Sequence, residues 1–201
     1  SPPDMTAPPL FRHRHPAALW PRARRQADGR GCRNRPERRR PTMIDDLDRI
    51  MSVMETAFDP NWGEAWNRRQ VDDALLLGNC HYYLISPAGT PVTGDEEAAG
   101  FSLSRTGYEE EELLLLGVKP QFRRLGLGRA ILDALRLAAA RRGARRLLLE
   151  MRRGNPAQSL YCDFGFYSIG ERKDYYRTQN GERIDALTFA CDICDGNLSN
   201  L

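Results

Sequence analysis

No apolar run in this 201-residue chain approaches the roughly 20 residues that a membrane-spanning helix needs, so no membrane span is expected. The N-terminal stretch is basic but lacks the apolar core of a secretory leader, and a cytoplasmic location is the expectation. Histidine is scarce: of three, only His81 lies beyond residue 42. That leaves little for a Ser or Cys nucleophile of the triad type to lean on. The five cysteines are an odd number without framework spacing, which fits reduced thiols rather than disulfides. Cys191 and Cys194 form a C-x-x-C pair, but no second pair stands at useful spacing, so neither a zinc site nor any other metal is expected. No internal repeat is visible.

What is present is unevenly distributed. Residues 1–42 hold 11 arginines, no lysine, three acidic residues and 8 of the 13 prolines, a formal +8. The remainder carries −5, so the overall +3 hides a basic tail on a mildly acidic body. A Pro/Arg-rich stretch with few aliphatics cannot offset its ordering entropy by burial, and 1–42 is expected to be disordered. It reads either as an arm for nucleic acid or the ribosome, or as sequence without function upstream of a natural start at Met43. An acidic body argues against nucleic acid as its main ligand and suits a cationic substrate.

From Met43 onward the pattern is that of a folded unit. Ile44, Leu47, Ile50, Met51, Met54 and Phe58 follow helical spacing, with Asp45, Asp46 and Asp48 near the start. A second helix is expected over about 63–77, with Trp66, Val71 and Leu75 inward. Strands follow at 81–86 and 98–105, and the acidic run 109–112 leads into a third at 113–118. Leu127, Ile131, Leu132, Leu135 and Ala138 then form the apolar face of a helix over 126–142, closed by Gly143. A strand at 146–150, a short helix at 156–164 and two strands at 166–173 and 184–190, joined through a turn at Asn180-Gly181, complete the order ααβββαβαββ. This is an α/β fold around a mixed sheet. A C-terminal tail covers 194–201.

Three features carry chemistry. The loop Arg123-Arg124-Leu125-Gly126-Leu127-Gly128 lies between an apolar strand and a helix, and Arg129 follows it. Two glycines there permit close backbone approach, and the free N–H groups of a helix start favour an anion, above all a pyrophosphate. The loop is neither a Walker A sequence nor a dinucleotide fingerprint, whose third glycine would fall at Ile131. Read in isolation it could equally be a tight turn. The second feature is Glu150, a lone carboxylate ending an apolar strand. It is either a general base with a raised pKa or a strand-end residue paired with an arginine such as Arg152. The third is Tyr161, in the short helix before Gly165-Phe166.

Arg-x-x-Gly-x-Gly after an apolar strand, a helix of about 17 residues, a strand, an Asn, and Leu160-Tyr161-x-x-x-Gly165-Phe166 together resemble the GNAT superfamily of acetyl-CoA-dependent N-acetyltransferases. Within it the chain resembles the RimI family of ribosomal-protein N-terminal alanine acetyltransferases, over about residues 43–193. The resemblance implies a GNAT-type mixed sheet flanked by helices, acetyl-CoA as co-substrate, and loop amides on its pyrophosphate. It implies that the backbone of Leu116, Gly117 and Val118 pairs with the pantetheine arm and that Asn155 contacts the coenzyme. By the count back from Tyr161, Gly154 takes that place. It further implies Glu150 as base, through water, and Tyr161 as the acid that protonates the departing thiolate. Substrate choice would sit at the junction 59–64 and near Tyr175-Tyr176, so Trp62, Tyr175 and Tyr176 are candidate groove residues.

With no covalent nucleophile indicated, direct attack of a bound amine on the thioester is the expected mechanism. An α-amine, of pKa about 8 against about 10.4 for lysine, needs only a modest base. The expected acceptor is therefore a protein N-terminus, ribosomal by the resemblance. A small-amine acetyltransferase, and a coenzyme-binding module tethered to RNA by residues 1–42, are the two alternatives.

Overall fold

Asp45 and Asn67 set the two N-terminal helices. In the computed structural model, which describes residues 45–177 and 181–193, Asp45 accepts a hydrogen bond from the Leu47 N–H and opens α1 (Asp46–Ala57). The expectations for Ile44, the basic tail, Asn180, Cys194 and the C-terminal tail lie outside the described residues. A single 3-10 turn, Pro60–Trp62, follows α1 and ends at Gly63 with φ 63°. The second helix, α2 (Arg68–Leu76), is shorter than its apolar spacing suggested. Asn67 accepts from the Gln70 N–H while the Gln70 side chain accepts from the Asn67 N–H, a reciprocal cap that fixes the start at Arg68. Trp66 therefore lies ahead of the helix, buried in the connection.

The strands are β1 (Cys80–Ile85), β2 (Gly100–Thr106), β3 (Glu110–Val118), β4 (Arg146–Arg152), β5 (Tyr167–Arg177) and β6 (Arg183–Asp192), with α3 (Leu127–Arg141) between β3 and β4 and α4 (Gln158–Phe164) between β4 and β5. The expected order of elements is thus the observed one. They form one six-stranded sheet in the order β1-β2-β3-β4-β6-β5. Only β3 and β4 run parallel; the other neighbours are antiparallel. One core, around Leu132, Leu135, Leu147, Met151, Phe164 and Phe189, lies between the sheet and α3 and α4. A second, around Ile50, Met54, Trp66, Val71, Phe101 and Leu103, lies under α1 and α2 on the other face.

One irregularity shapes the centre of the sheet. Leu103 pairs with Leu115 but Ser104 pairs with Leu113, so Leu114 is an extra residue in β3. In an unbroken strand Leu113 and Leu115 would share a face. Here Leu113 packs in the α3–α4 core and Leu115 in the α1–α2 core, as a bulge at Leu114 requires. The parallel ladder of β3 and β4 ends at the same place, with Leu113 opposite Leu149 as its last pair. Beyond it β3 stays with β2 and β4 stays with β6, so the two central strands part.

The acidic run is part of the third strand and not only a lead into it. β3 already begins at Glu110, and Glu111 is fully buried. Its carboxylate accepts from Ser104 Oγ at 2.5 Å, Thr106 Oγ1 at 3.2 Å and Arg142 Nε at 3.0 Å, with Arg142 Nη2 also in contact. This charge is tolerable inside because its partners satisfy it. Glu112 is bound by Arg105 at 2.5 Å across to β2. The run therefore ties β3 to β2 and to the end of α3.

Candidate active site

The site begins where β3 and β4 separate. From Leu116 to Val118, β3 hydrogen-bonds to β2 along one edge and has lost β4 along the other. That leaves strand edge open to an extended, amide-bearing ligand. The predicted positions Leu116, Gly117 and Val118 all lie on this edge. Gly117 is small because a Cβ would approach Phe58 to 3.0 Å, Phe101 to 3.1 Å and Ala57 to 3.2 Å, so its small size serves the packing of α1.

The strand ends in a turn, Pro120–Phe122, and the loop leads straight into α3. Gly126 is the N-cap, with φ 82° and open space where a Cβ would project. Ala130 donates the first helical bond, to the Gly126 carbonyl at 3.1 Å, so the N–H groups of Leu127, Gly128 and Arg129 lack helical partners. Arg124 takes a left-handed conformation, φ 64°, and Leu125 stands 64% exposed at the tip. A helix start of this kind favours an anion.

The side chains of Arg123 and Arg129 are both engaged within the protein. Arg123 donates from Nε to the Val118 carbonyl at 3.1 Å and from Nη2 to the Ala57 carbonyl at 2.8 Å, bracing the end of β3 against α1. Arg129 turns to α4, donating to the Asp163 carbonyl at 3.3 Å and resting over the Phe164 ring at 5.6 Å. Gly128 is small for packing as well: a Cβ there would meet Leu160 of α4 at 2.9 Å. Of the three arginines only Arg124 holds no side-chain bond to another described residue.

Glu150 is the first residue of β4 past the last parallel pair, opposite Thr188 of β6. It is mostly buried, and its Oε2 lies 2.7 Å from Arg172 Nη2 of β5. The arginine partner is therefore Arg172 and not Arg152. Burial pushes the Glu150 carboxyl above its ordinary value; Arg172 pulls it down and Glu112 adds to the rise. Arg152, on the same face two residues on, faces Glu64 of the α1–α2 connection, Nε to Oε1 3.1 Å, with its guanidinium 3.8 Å from the Trp62 ring centroid. Burial also raises Glu64.

Tyr161 is buried in α4, edge-on to Phe166 at 5.7 Å. Burial, then the charge of Glu64, lifts its hydroxyl well above the usual tyrosine range. Tyr176 is raised likewise, by burial and then by Glu150 and Glu64. It stands edge-on to Tyr175 at 5.3 Å, and Arg172 lies over Tyr175 at 4.9 Å. Asn155 accepts from the Ala157 N–H at 2.9 Å and so supports the turn into α4, while Gly154 before it has φ 79°. Thus Glu150, Tyr161, Trp62, Tyr175 and Tyr176 are linked by charge and ring contacts; Arg152 joins them with Glu64 as its partner instead of Glu150, and Glu64 and Arg172 join them unforeseen. Of those two, only Glu64, at a helix junction already singled out, offered a sequence signal.

An open strand edge, a helix N-terminus with unpartnered N–H groups and a mostly buried carboxylate are the parts that a coenzyme-fed transfer needs. Residues 79–168 match the acetyltransferase (GNAT) domain model. The ribosomal protein bS18-alanine N-acetyltransferase of Haemophilus ducreyi is 35% identical over 146 residues, 72% of this chain and 92% of that one. The enzyme of the same name from Haemophilus influenzae is 31% identical over 97 residues, 48% of this chain and 66% of that one. The crystal structure of the ribosomal-protein-S18-alanine N-acetyltransferase from Escherichia coli superposes with TM-score 0.61 at 27% identity, covering 80% of this chain and 96% of that one.

The chain belongs to the GNAT acetyltransferase family and is an acetyl-CoA-dependent N-acetyltransferase. Within the family it stands with the RimI-like members. The open β3 edge and the bare N–H groups at Leu127–Arg129 suit acetyl-CoA, an amide-bearing arm joined to a pyrophosphate.

Arg123→Ala is expected to cost about 1–2 kcal/mol of stability, discounted for the exposure of its two bonds, and to change the acetyl-CoA dissociation constant by less than about threefold. Arg124→Ala should leave stability unchanged and weaken acetyl-CoA about five- to tenfold. Urea denaturation and calorimetric titration check both.

Proposed function

We propose that this enzyme acetylates the N-terminal α-amine of a protein, with ribosomal protein bS18, the substrate named for its relatives, as the first candidate. The observation that carries this is Glu150, a carboxylate with a raised pKa at the mouth of the opening between β3 and β4. An α-amine of pKa about 8 is within reach of such a base, and a lysine side chain much less so.

In this reading residues 43–193 form the acetyltransferase unit. The amides of Gly126, Leu127, Gly128 and Arg129 hold the pyrophosphate, with Arg124 supplying the side-chain charge and Leu125 the exposed tip. Leu116, Gly117 and Val118 offer backbone to the pantetheine arm, and Asn155 borders it. Arg123 supports the loop instead of contacting the anion. Bound acetyl-CoA supplies an acetyl group activated as a thioester. Glu150 takes the amine's proton, directly or through a water. Tyr161, like any tyrosine, keeps its proton at neutral pH, and burial holds that proton more firmly still, so it is in the right form to protonate the leaving thiolate. That firmer hold makes it a reluctant acid, so its transfer must accompany C–S cleavage. Trp62, Tyr175 and Tyr176 line the acceptor side.

Steady-state assays with an alanine-initiated peptide from the bS18 N-terminus, against a panel of polyamines and aminoglycosides, test the acceptor. Turnover on the peptide with kcat/KM at least about 100-fold above any small amine is expected; acetylation of small amines alone would overturn it. The pH profile follows from Arg172. A base works only when deprotonated, and Arg172 favours the charged carboxylate, so removing it leaves burial unopposed. The acid limb of kcat/KM for Arg172→Met should move to higher pH by roughly one unit.

A further inference from the structure

Arg152 is out of balance with its surroundings. It is only 8% exposed, and a buried guanidinium is costly unless its charge is paired and its N–H groups are bonded. The charge is paired: Glu64 Oε1 lies 3.1 Å from Nε. The hydrogen bonding is not, because that approach is out of line and the buried Nε has no hydrogen-bond partner among the described residues. Trp62 covers one face of the guanidinium at 3.8 Å and fixes its plane. Nε itself is enclosed beneath Glu64, but Nη1 and Nη2 lie in the same plane and bond no other described residue, so the donor capacity is that of the outer edge of a rigid fork.

Its position says what it faces. Arg152 shares a face of β4 with Glu150, two residues and about 6.6 Å along the strand. Both lie beyond the parting of β3 and β4, on the part of β4 that β6 alone pairs, opposite Ala186 and Thr188. Glu64 and Glu150 already balance Arg152 and Arg172, so a further anion gains nothing there. A neutral acceptor atom suits: a carbonyl oxygen.

We propose that Arg152, held flat by Trp62 and Glu64, donates to the first main-chain carbonyl of the acceptor while that acceptor's α-amine lies at Glu150. The inference rests on the reading of the acceptor as a protein N-terminus and deepens it: an amine carried on a peptide completes the bonding of Arg152, and an alkylamine leaves it incomplete. Arg152 is a specificity residue and takes no part in proton transfer.

The test is steady-state kinetics of the full chain at saturating acetyl-CoA on two synthetic acceptors. One is an alanine-initiated peptide; the other is the same peptide with sulfur replacing its first carbonyl oxygen, a weaker acceptor at nearly unchanged amine basicity. The wild type should prefer the oxygen peptide by about fivefold or more in kcat/KM. Arg152→Gln should bring that ratio below about twofold, with acetyl-CoA affinity retained, and Arg152→Lys should fall between. A wild-type ratio within twofold contradicts the inference, and so does a ratio that survives in Arg152→Gln, which would leave Arg152 a brace for the α1–α2 connection. If neither peptide turns over while acetyl-CoA binds, the reading of the acceptor fails, and this inference with it. If Arg152→Gln does not fold, the wild-type ratio and Arg152→Lys still decide.

Discussion

The loss of pairing between two neighbouring parallel strands is the constraint on which the rest depends. Backbone groups inside a sheet are almost always bonded, so strands part only where something makes them part. Here an extra residue at Leu114 turns β3 away just after Leu113 meets Leu149. The parting exposes a strand edge on the β3 side and sets Glu150 at the lip on the β4 side. It also lets a group in the α3–α4 core, Tyr161, respond to Glu64 in the connection on the other face. In the function proposed above, the same opening takes a coenzyme from one side and an amine from the other.

Charge is arranged about that opening in pairs. Glu150 is matched by Arg172 and Glu64 by Arg152, and each carboxylate stays above its ordinary pKa because burial outweighs the partner arginine. A carboxylate that is partnered yet still raised can be an anion at neutral pH and a competent proton acceptor. Farther down the sheet, Glu111 is fully buried, bonded by two hydroxyls and by Arg142, and this cluster joins β3, β2 and α3.

Much of this could be read along the chain. The order of elements followed from apolar spacing and glycine stops; the glycine loop announced itself by following a strand, and Glu150 by closing an apolar run, although the strand itself continues to Arg152. What could not be read depended on distance in sequence or on context. Nothing in four consecutive leucines marks Leu114 as extra, because a strand covered on both faces carries no alternation to interrupt. Glu111 looked like its acidic neighbours until Ser104, Thr106 and Arg142 were brought around it. The partners Arg172 and Glu64 stand 22 and 86 residues from Glu150 in the chain and reach its neighbourhood through β5 and the α1–α2 connection. The loop arginines looked alike in sequence. Packing sends Arg123 to α1 and Arg129 to α4, and leaves Arg124 without a side-chain bond to another described residue.

The most direct measurement is turnover of acetyl-CoA on an alanine-initiated peptide by Glu150→Gln beside the wild type, with acetyl-CoA affinity measured on both. Glutamine keeps the shape and removes the base. The account predicts unchanged coenzyme affinity and a fall in kcat of about 10²-fold or more. A mutant that binds acetyl-CoA and turns over at the wild-type rate would contradict the assignment of Glu150 as the base at the parting of β3 and β4.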